Sequence, residues 1–82
     1  MTLTNVSVTK GGWVQVYAGT NAATVVASGF SGEICQSAAQ PSNALYGLPF
    51  DGSSLIRYIY SSTAGDPVWV KPYDDGIVIV NA

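Results

Sequence analysis

Apolar residues in this chain do not recur at the three- and four-residue spacing of an amphipathic helix. They come in short Val-, Ile- and Tyr-rich runs separated by glycine-containing turns about ten residues apart, a pattern that confines the fold to an all-β sandwich or barrel. Residues 2–9 set Val6 and Val8 two apart among Thr, Asn and Ser, which reads as a half-buried strand, and Lys10-Gly11-Gly12 turns the chain. Trp13 to Tyr17 alternates, with Trp13, Gln15 and Tyr17 on one face and Val14 and Val16 on the other, up to a turn at Gly19-Thr20-Asn21. Two short strands are expected at 23–28 and 32–36, parted by Gly29-Phe30-Ser31. Residues 37–52, rich in Ala, Ser, Pro and Gly, read as the longest loop, with a short strand at 45–48. From Ser53 to Tyr60, Leu55, Arg57 and Ile59 alternate with Ile56, Tyr58 and Tyr60; both faces are apolar, which implies cover on two sides. Pro67 and Pro72 bracket a strand suited to a sheet edge, since proline donates no ladder hydrogen bond. Asp74-Asp75-Gly76 reads as a hairpin turn into a last strand at 77–81. The expectation is one domain over residues 1–82, a small antiparallel β-sandwich or barrel of about six to eight short strands.

A domain of 82 residues has room for one core. Domains this small lean on disulfides, a metal or oligomerisation; with one cysteine and no histidine, oligomerisation is the remaining support. Charged residues make up 10% of the chain against about a quarter in a typical soluble domain, so part of the surface is expected to meet other protein. A net charge of −2 with only Lys10, Arg57 and Lys71 as cations offers no basic stripe, which disfavours nucleic acid and anionic membranes as partners. No apolar segment approaches the roughly 18 residues of a membrane-spanning helix. The residues after Met1 do not read as a secretory leader, so synthesis in the cytoplasm is expected.

The same composition excludes most catalysis. Without histidine there is no imidazole base, no Ser-His-Asp or Cys-His pair and no conventional zinc site. Asp74-Asp75, Asp51-Gly52 and Gly65-Asp66 read as turn formers, and the spaced acids of a calcium loop are missing. Gly11-Gly12 and Gly29-x-x-Gly32 lie between strands, so neither cradles a phosphate. No catalytic residue, metal ligand or cofactor is therefore expected. Cys35 reads as a structural thiol, with an intersubunit disulfide or a reactive thiol as the alternatives. Arg57 is either an ion-pair partner across a subunit boundary or an exposed, snorkelling side chain. The aromatics divide among core, interface and sugar-stacking roles. The candidate interface set is Trp13, Tyr17, Arg57, Tyr58, Tyr60, Trp69 and Tyr73. A W-V-x-x-Y echo links Trp13–Tyr17 with Trp69–Tyr73 and suggests two similar hairpins in the two halves of the fold.

The Gly-Gly-Trp-Val strand opening, the Leu48-Pro49-Phe50-Asp51-Gly52 loop and the closing Val68-Trp69-Val70-Lys71-Pro72-Tyr73-Asp74-Asp75-Gly76 with Ile77–Val80 resemble the small all-β virion proteins of tailed bacteriophages, the capsid decoration or head/tail accessory class. The resemblance implies a non-enzymatic virion subunit, a homo-oligomer with a trimer favoured, that stabilises a symmetric particle against major capsid or tail proteins. The residues before the first expected strand do not read as the extended N-terminal arm of some decoration proteins, so attachment through such an arm is not expected. Two other functions compete with this one: a carbohydrate- or receptor-binding module of a tail fibre, stacking on Trp13, Trp69 or the tyrosines, and a small acidic phage-encoded inhibitor of a host protein.

Overall fold

A computed structural model of the chain describes residues 1–52 and 57–82. It is all-β, with six strands: β1 (Leu3–Val8), β2 (Val14–Tyr17), β3 (Ala23–Gln36), β4 (Leu48–Ser62), β5 (Val68–Pro72) and β6 (Gly76–Asn81). They form one antiparallel sheet in the order β1-β6-β3-β5-β2, with β4 on the other side of β3.

The registers explain how this sheet curls. β1 and β2 run along β6 and β5 in a single frame: Val8 opposes Gly76 and Val14 opposes Val70, with residues 9–13 and 71–75 between, of which 73–75 form the corner after β5. β5 and β6 in turn lie end to end along β3, which opposes β5 through Gly32–Gln36 and β6 through Thr24–Ser28. The sheet is thus folded double, and its two halves face one another across the core, with strands passing from one half to the other at a bulge. That bulge lies between Ser28 and Phe30, where Gly29 takes φ +84°, a conformation open to glycine without a Cβ clash. At the outer corner the Lys10 amide donates to Asp75 Oδ1 at 3.0 Å, and the Tyr73 amide donates to the Ser31 carbonyl at 2.9 Å.

Alternation then sorts the side chains. Val25, Val78 and Val80 from one half meet Val16, Ile34, Val68 and Val70 from the other, all buried. Each such side chain contributes about 1.5–3 kcal/mol relative to exposure. Phe30 packs edge-on against Phe50 at 5.5 Å, and Phe50 stacks on Tyr58 at 5.1 Å.

Several expectations are corrected. The strands at 23–28 and 32–36 are one strand, because Gly29 absorbs the bend as a bulge and β3 pairs with β4 again from Phe30, opposite Gly52, and with β5 from Gly32. The loop over 37–52 ends at residue 47: β4 begins at Leu48, where β3 offers an edge to pair with, and 45–47 form no strand. β5 is interior rather than an edge, and Pro72 is tolerated there because the register with β2 stops at Val70. Asp74-Asp75-Gly76 makes no hairpin: β5 and β6 pair with β3, not with each other, so the turn is a corner in one long run. The two W-V-x-x-Y segments lie side by side, Gln15 opposite Trp69, rather than in separate halves. A register shift between Gln15 and Tyr17 carries Tyr17 to the core side, away from the face of Gln15. Arg57 and Ile59 are exposed, so within one chain β4 has cover on one side there; Leu55 and Ile56 lie outside the described residues.

Candidate functional site

Residues 37–47 fold back over the outer face of the β2–β5–β3 half, and the outward side chains of that face hold them. Because β5 and β3 are in register, Glu33 stands opposite Lys71 and Cys35 opposite Trp69. The Trp69 indole N–H donates to the Ser37 carbonyl at 2.9 Å and the Trp13 indole N–H to the Ser42 carbonyl at 3.2 Å. The Gln40 side-chain amide donates to the Trp13 carbonyl at 2.9 Å. Lys71 Nζ donates to the carbonyls of Asn43 at 3.2 Å and Leu45 at 3.0 Å, with the rings of Trp13 and Tyr46 at 5.3 and 5.4 Å.

Glu33 anchors this clasp. Only 3% exposed, it accepts the Gly47 amide at 2.9 Å and the Tyr73 hydroxyl at 2.7 Å, and its Oε1 lies 3.6 Å from Lys71 Nζ. Burial alone would raise its pKa; the Tyr73 hydroxyl, the Gly47 amide and the Lys71 ammonium outweigh that and hold it below the ordinary carboxylate value. The same bond to Glu33, with burial second, pushes the Tyr73 hydroxyl up. Both carboxylate oxygens are thus engaged within the chain, which suits a structural anchor. Gly47 must be glycine for the fit: a Cβ there would stand 2.7 Å from the Trp13 ring and 2.8 Å from the Ile34 carbonyl. Beyond the clasp the loop presents Leu45 and Tyr46 at the surface, with Tyr46 89% exposed, and Leu48 at the start of β4 is exposed as well.

The second surface is the outer face of the other half. In register across it lie Leu3, Asn81, Thr24 and Ser61; then Asn5, Ile79, Val26 and Ile59; then Ser7, Ile77, Ser28 and Arg57. Leu3, Ile59 and Ile77 are 68%, 64% and 51% exposed, and the half-buried Val26 and Ile79 lie between them. Ile79 and Val26 form the centre of the face; around them Leu3, Ile59 and Ile77 alternate with Ser, Thr and Asn, and Arg57 is the one charged position.

The seven candidate interface residues fall into different settings. Trp13 is buried beneath the loop and Trp69 is half-buried with its N–H donated internally. The Tyr17 hydroxyl lies 3.1 Å from Thr20 Oγ1 and accepts the Asn21 amide, which fixes the turn after β2. Tyr58 and Tyr60 face inward, half-buried, and the Tyr60 hydroxyl donates to Gln36 Oε1 at 3.3 Å. Arg57 and Tyr73 are the exposed members, on different halves of the sheet. Trp13, Trp69 and Tyr73 are brought together on the clasp. Cys35 is half-buried on the same face, where burial raises its thiol pKa. Among the described residues no three acids or thiols converge to hold a metal.

Sequence reading missed Glu33 and Lys71 as a pair. The available signal was that each is the lone charge of its own strand, an arrangement that favours pairing once strands are neighbours. No protein-family model matches the chain, and comparisons with curated proteins and with solved structures found no significant match.

Proposed function

We propose that this chain is a non-enzymatic assembly subunit that seats the outer face of its β1–β6–β3–β4 half on a neighbouring protein. The observation that carries the reading is the aliphatic patch of Leu3, Ile59 and Ile77 around Val26 and Ile79, on a chain with few charges to keep it apart from other protein. In this reading, which takes the phage class from the sequence resemblance alone, the neighbour is a major capsid or tail protein and the particle a virion. Co-expression with a phage major capsid or tail protein tests the reading: the chain should sediment with particles at a fixed ratio, and Ile77→Lys should leave it in the supernatant. A folded chain that never sediments with particles overturns it.

A glycan-binding reading has one observation in its favour, the exposed Tyr46 and Tyr73 rings beside Lys71. It would stack sugars on these tyrosines rather than on Trp13, which is buried, and glycan-array binding lost in Tyr46→Ala would select it.

A further inference from the structure

We propose that β4 pairs edge to edge with the β4 of a second copy of this chain, antiparallel about a two-fold axis at Ile59. The inference names a first partner for the assembly subunit proposed above and rests on that reading for its purpose, while its test is separate.

Among the described residues β4 pairs with β3 alone, so the backbone of Arg57–Ser62 has no strand along its other edge. Such edges are ordinarily blunted by lysine, proline, a bulge or shortness. Here the run is Arg57-Tyr58-Ile59-Tyr60-Ser61-Ser62, with no proline, no lysine and a single charge, at the end of a 15-residue strand. An unpaired ladder calls for another extended strand, and this one suits itself. Antiparallel pairing centred on Ile59 sets Ile59 against Ile59 on the outer face and Tyr58 against Tyr60 on the inner face. Arg57 then lies opposite Ser61, so no like charges oppose one another. A strand that complements itself closes as an isologous pair, which needs only one surface per copy.

The pairing also lines up the two outer faces. Ile59 sits at the seam, so the patches built from Leu3, Ile77, Ile79, Val26 and Ile59 become one platform twice as wide. The five residues Arg57 to Ser61 at about 3.4 Å each make a seam of about 17 Å, short for the roughly 800 Å² per partner of a standard interface. The pair is therefore weak and concentration-dependent in solution, and a particle that holds many copies close together strengthens it.

The experiment is sedimentation equilibrium on the full chain up to about 1 mM. The mass should rise from 8.5 kDa towards twice that, 17 kDa. Ser61 and Ile59 are exposed, so substitutions there leave the fold intact. Ser61→Glu places a carboxylate opposite Arg57 twice per pair and should tighten association by about 2- to 30-fold, and Ser61→Lys should weaken it by a similar factor. In a Cys35→Ser background, Ile59→Cys should give a disulfide-linked dimer on mild oxidation, because directly opposed antiparallel residues lie about 4.5–5.5 Å apart at Cα, within disulfide reach. A chain that stays at 8.5 kDa throughout overturns the inference. So does a dimer indifferent to the charge at position 61 and uncrosslinked through position 59. Either result leaves the particle-sedimentation test to decide the assembly reading on its own.

Discussion

Replacing Lys71 by methionine should cost about 3 kcal/mol of folding stability. The substitution keeps the length and apolar body of the side chain, so the loss is electrostatic. Glu33 is left ionised at 3% exposure with only the Gly47 amide and the Tyr73 hydroxyl as partners. Removing one member of a buried pair costs about 3–5 kcal/mol, and the lower end applies because the Lys71 side chain keeps 15% exposure and sits 3.6 Å from Oε1. The Asn43 and Leu45 carbonyls that lose the ammonium are on exposed residues and turn to water, so they add little. A domain of this size has a total of about 4–12 kcal/mol, so the loss is a large share of it. Urea unfolding followed by tryptophan fluorescence reads the effect directly: with a slope of about 1 kcal/mol/M the midpoint falls by about 3 M. The double variant Glu33→Gln/Lys71→Met should regain about 2 kcal/mol, since the amide oxygen still accepts the Gly47 N–H and no charge is stranded. If Lys71→Met shifts stability by less than about 0.5 kcal/mol, or the double variant is no better than the single, the clasp is not held by this charge pair.

Glu33 has a folded pKa below its ordinary 4.5, so its contribution is complete above that value and is lost as pH falls through the folded pKa; acid unfolding should begin later in the parent than in Tyr73→Phe. Tyr73 is shifted the other way, above 10.0, so its bond to Glu33 contributes below that pH and is lost as pH rises through the folded value, visible as a delayed phenolate absorbance change. Gly47→Ala drives a methyl into Trp13 and the Ile34 carbonyl and should cost about 1–3 kcal/mol, with protease cleavage within residues 37–47 rising in step. Cys35, with its pKa raised by burial, should react with a disulfide reagent several-fold more slowly at pH 8 in the folded chain than in urea. Ile77→Lys and Val78→Ala test the alternation of β6: the first, on the outer face, should change stability by about 0.5 kcal/mol or less, and the second, in the core, by about 1.5–3 kcal/mol, both by urea midpoint.

Strand content was legible because period-two alternation survives in short windows: Val6 and Val8, Val14 and Val16, and Val78 and Val80 all turn their side chains to the core as spaced. Connectivity was not legible, for a physical reason. A glycine at positive φ reads the same in sequence whether it reverses the chain or only bends a strand, and Gly29 bends. Asp74-Asp75-Gly76 has hairpin composition, but β3 offers β6 a partner directly beyond the one it gives β5, so the chain continues instead of returning. The tryptophans were recognised as important residues, yet their task depends on long-range register. Only when β2 lies against β5 do two indoles stand together and grip one loop at Ser42 and Ser37. Leu45 and Tyr46 read in sequence as part of a short strand at 45–48, but they pair with no strand, and their exposure follows from where the clasp lets the loop go.

The placement of the few charges ties the two surfaces together. One pair, Glu33 and Lys71, lies under the loop, which leaves six charged side chains outside it: Lys10, Asp51, Arg57, Asp66, Asp74 and Asp75, all exposed. Lys10, Asp74 and Asp75 gather at the outer corner, and Asp66 sits in the turn before β5. The outer face of the β1–β6–β3–β4 half therefore keeps a single charge, Arg57, at one end of its last row. A monomeric sheet exposed on one face would ordinarily alternate apolar residues inside with charged ones outside. This face puts apolar residues outside as well as inside at Ile77, Ile79, Val26 and Ile59, and it ends at β4, whose edge carries no proline or lysine between Arg57 and Ser62. Solubility and fold stability do not call for that arrangement. The proposed assembly role, in which a neighbouring protein covers this face, accounts for it; on the opposite half residues 37–47 of the chain itself cover the outer face.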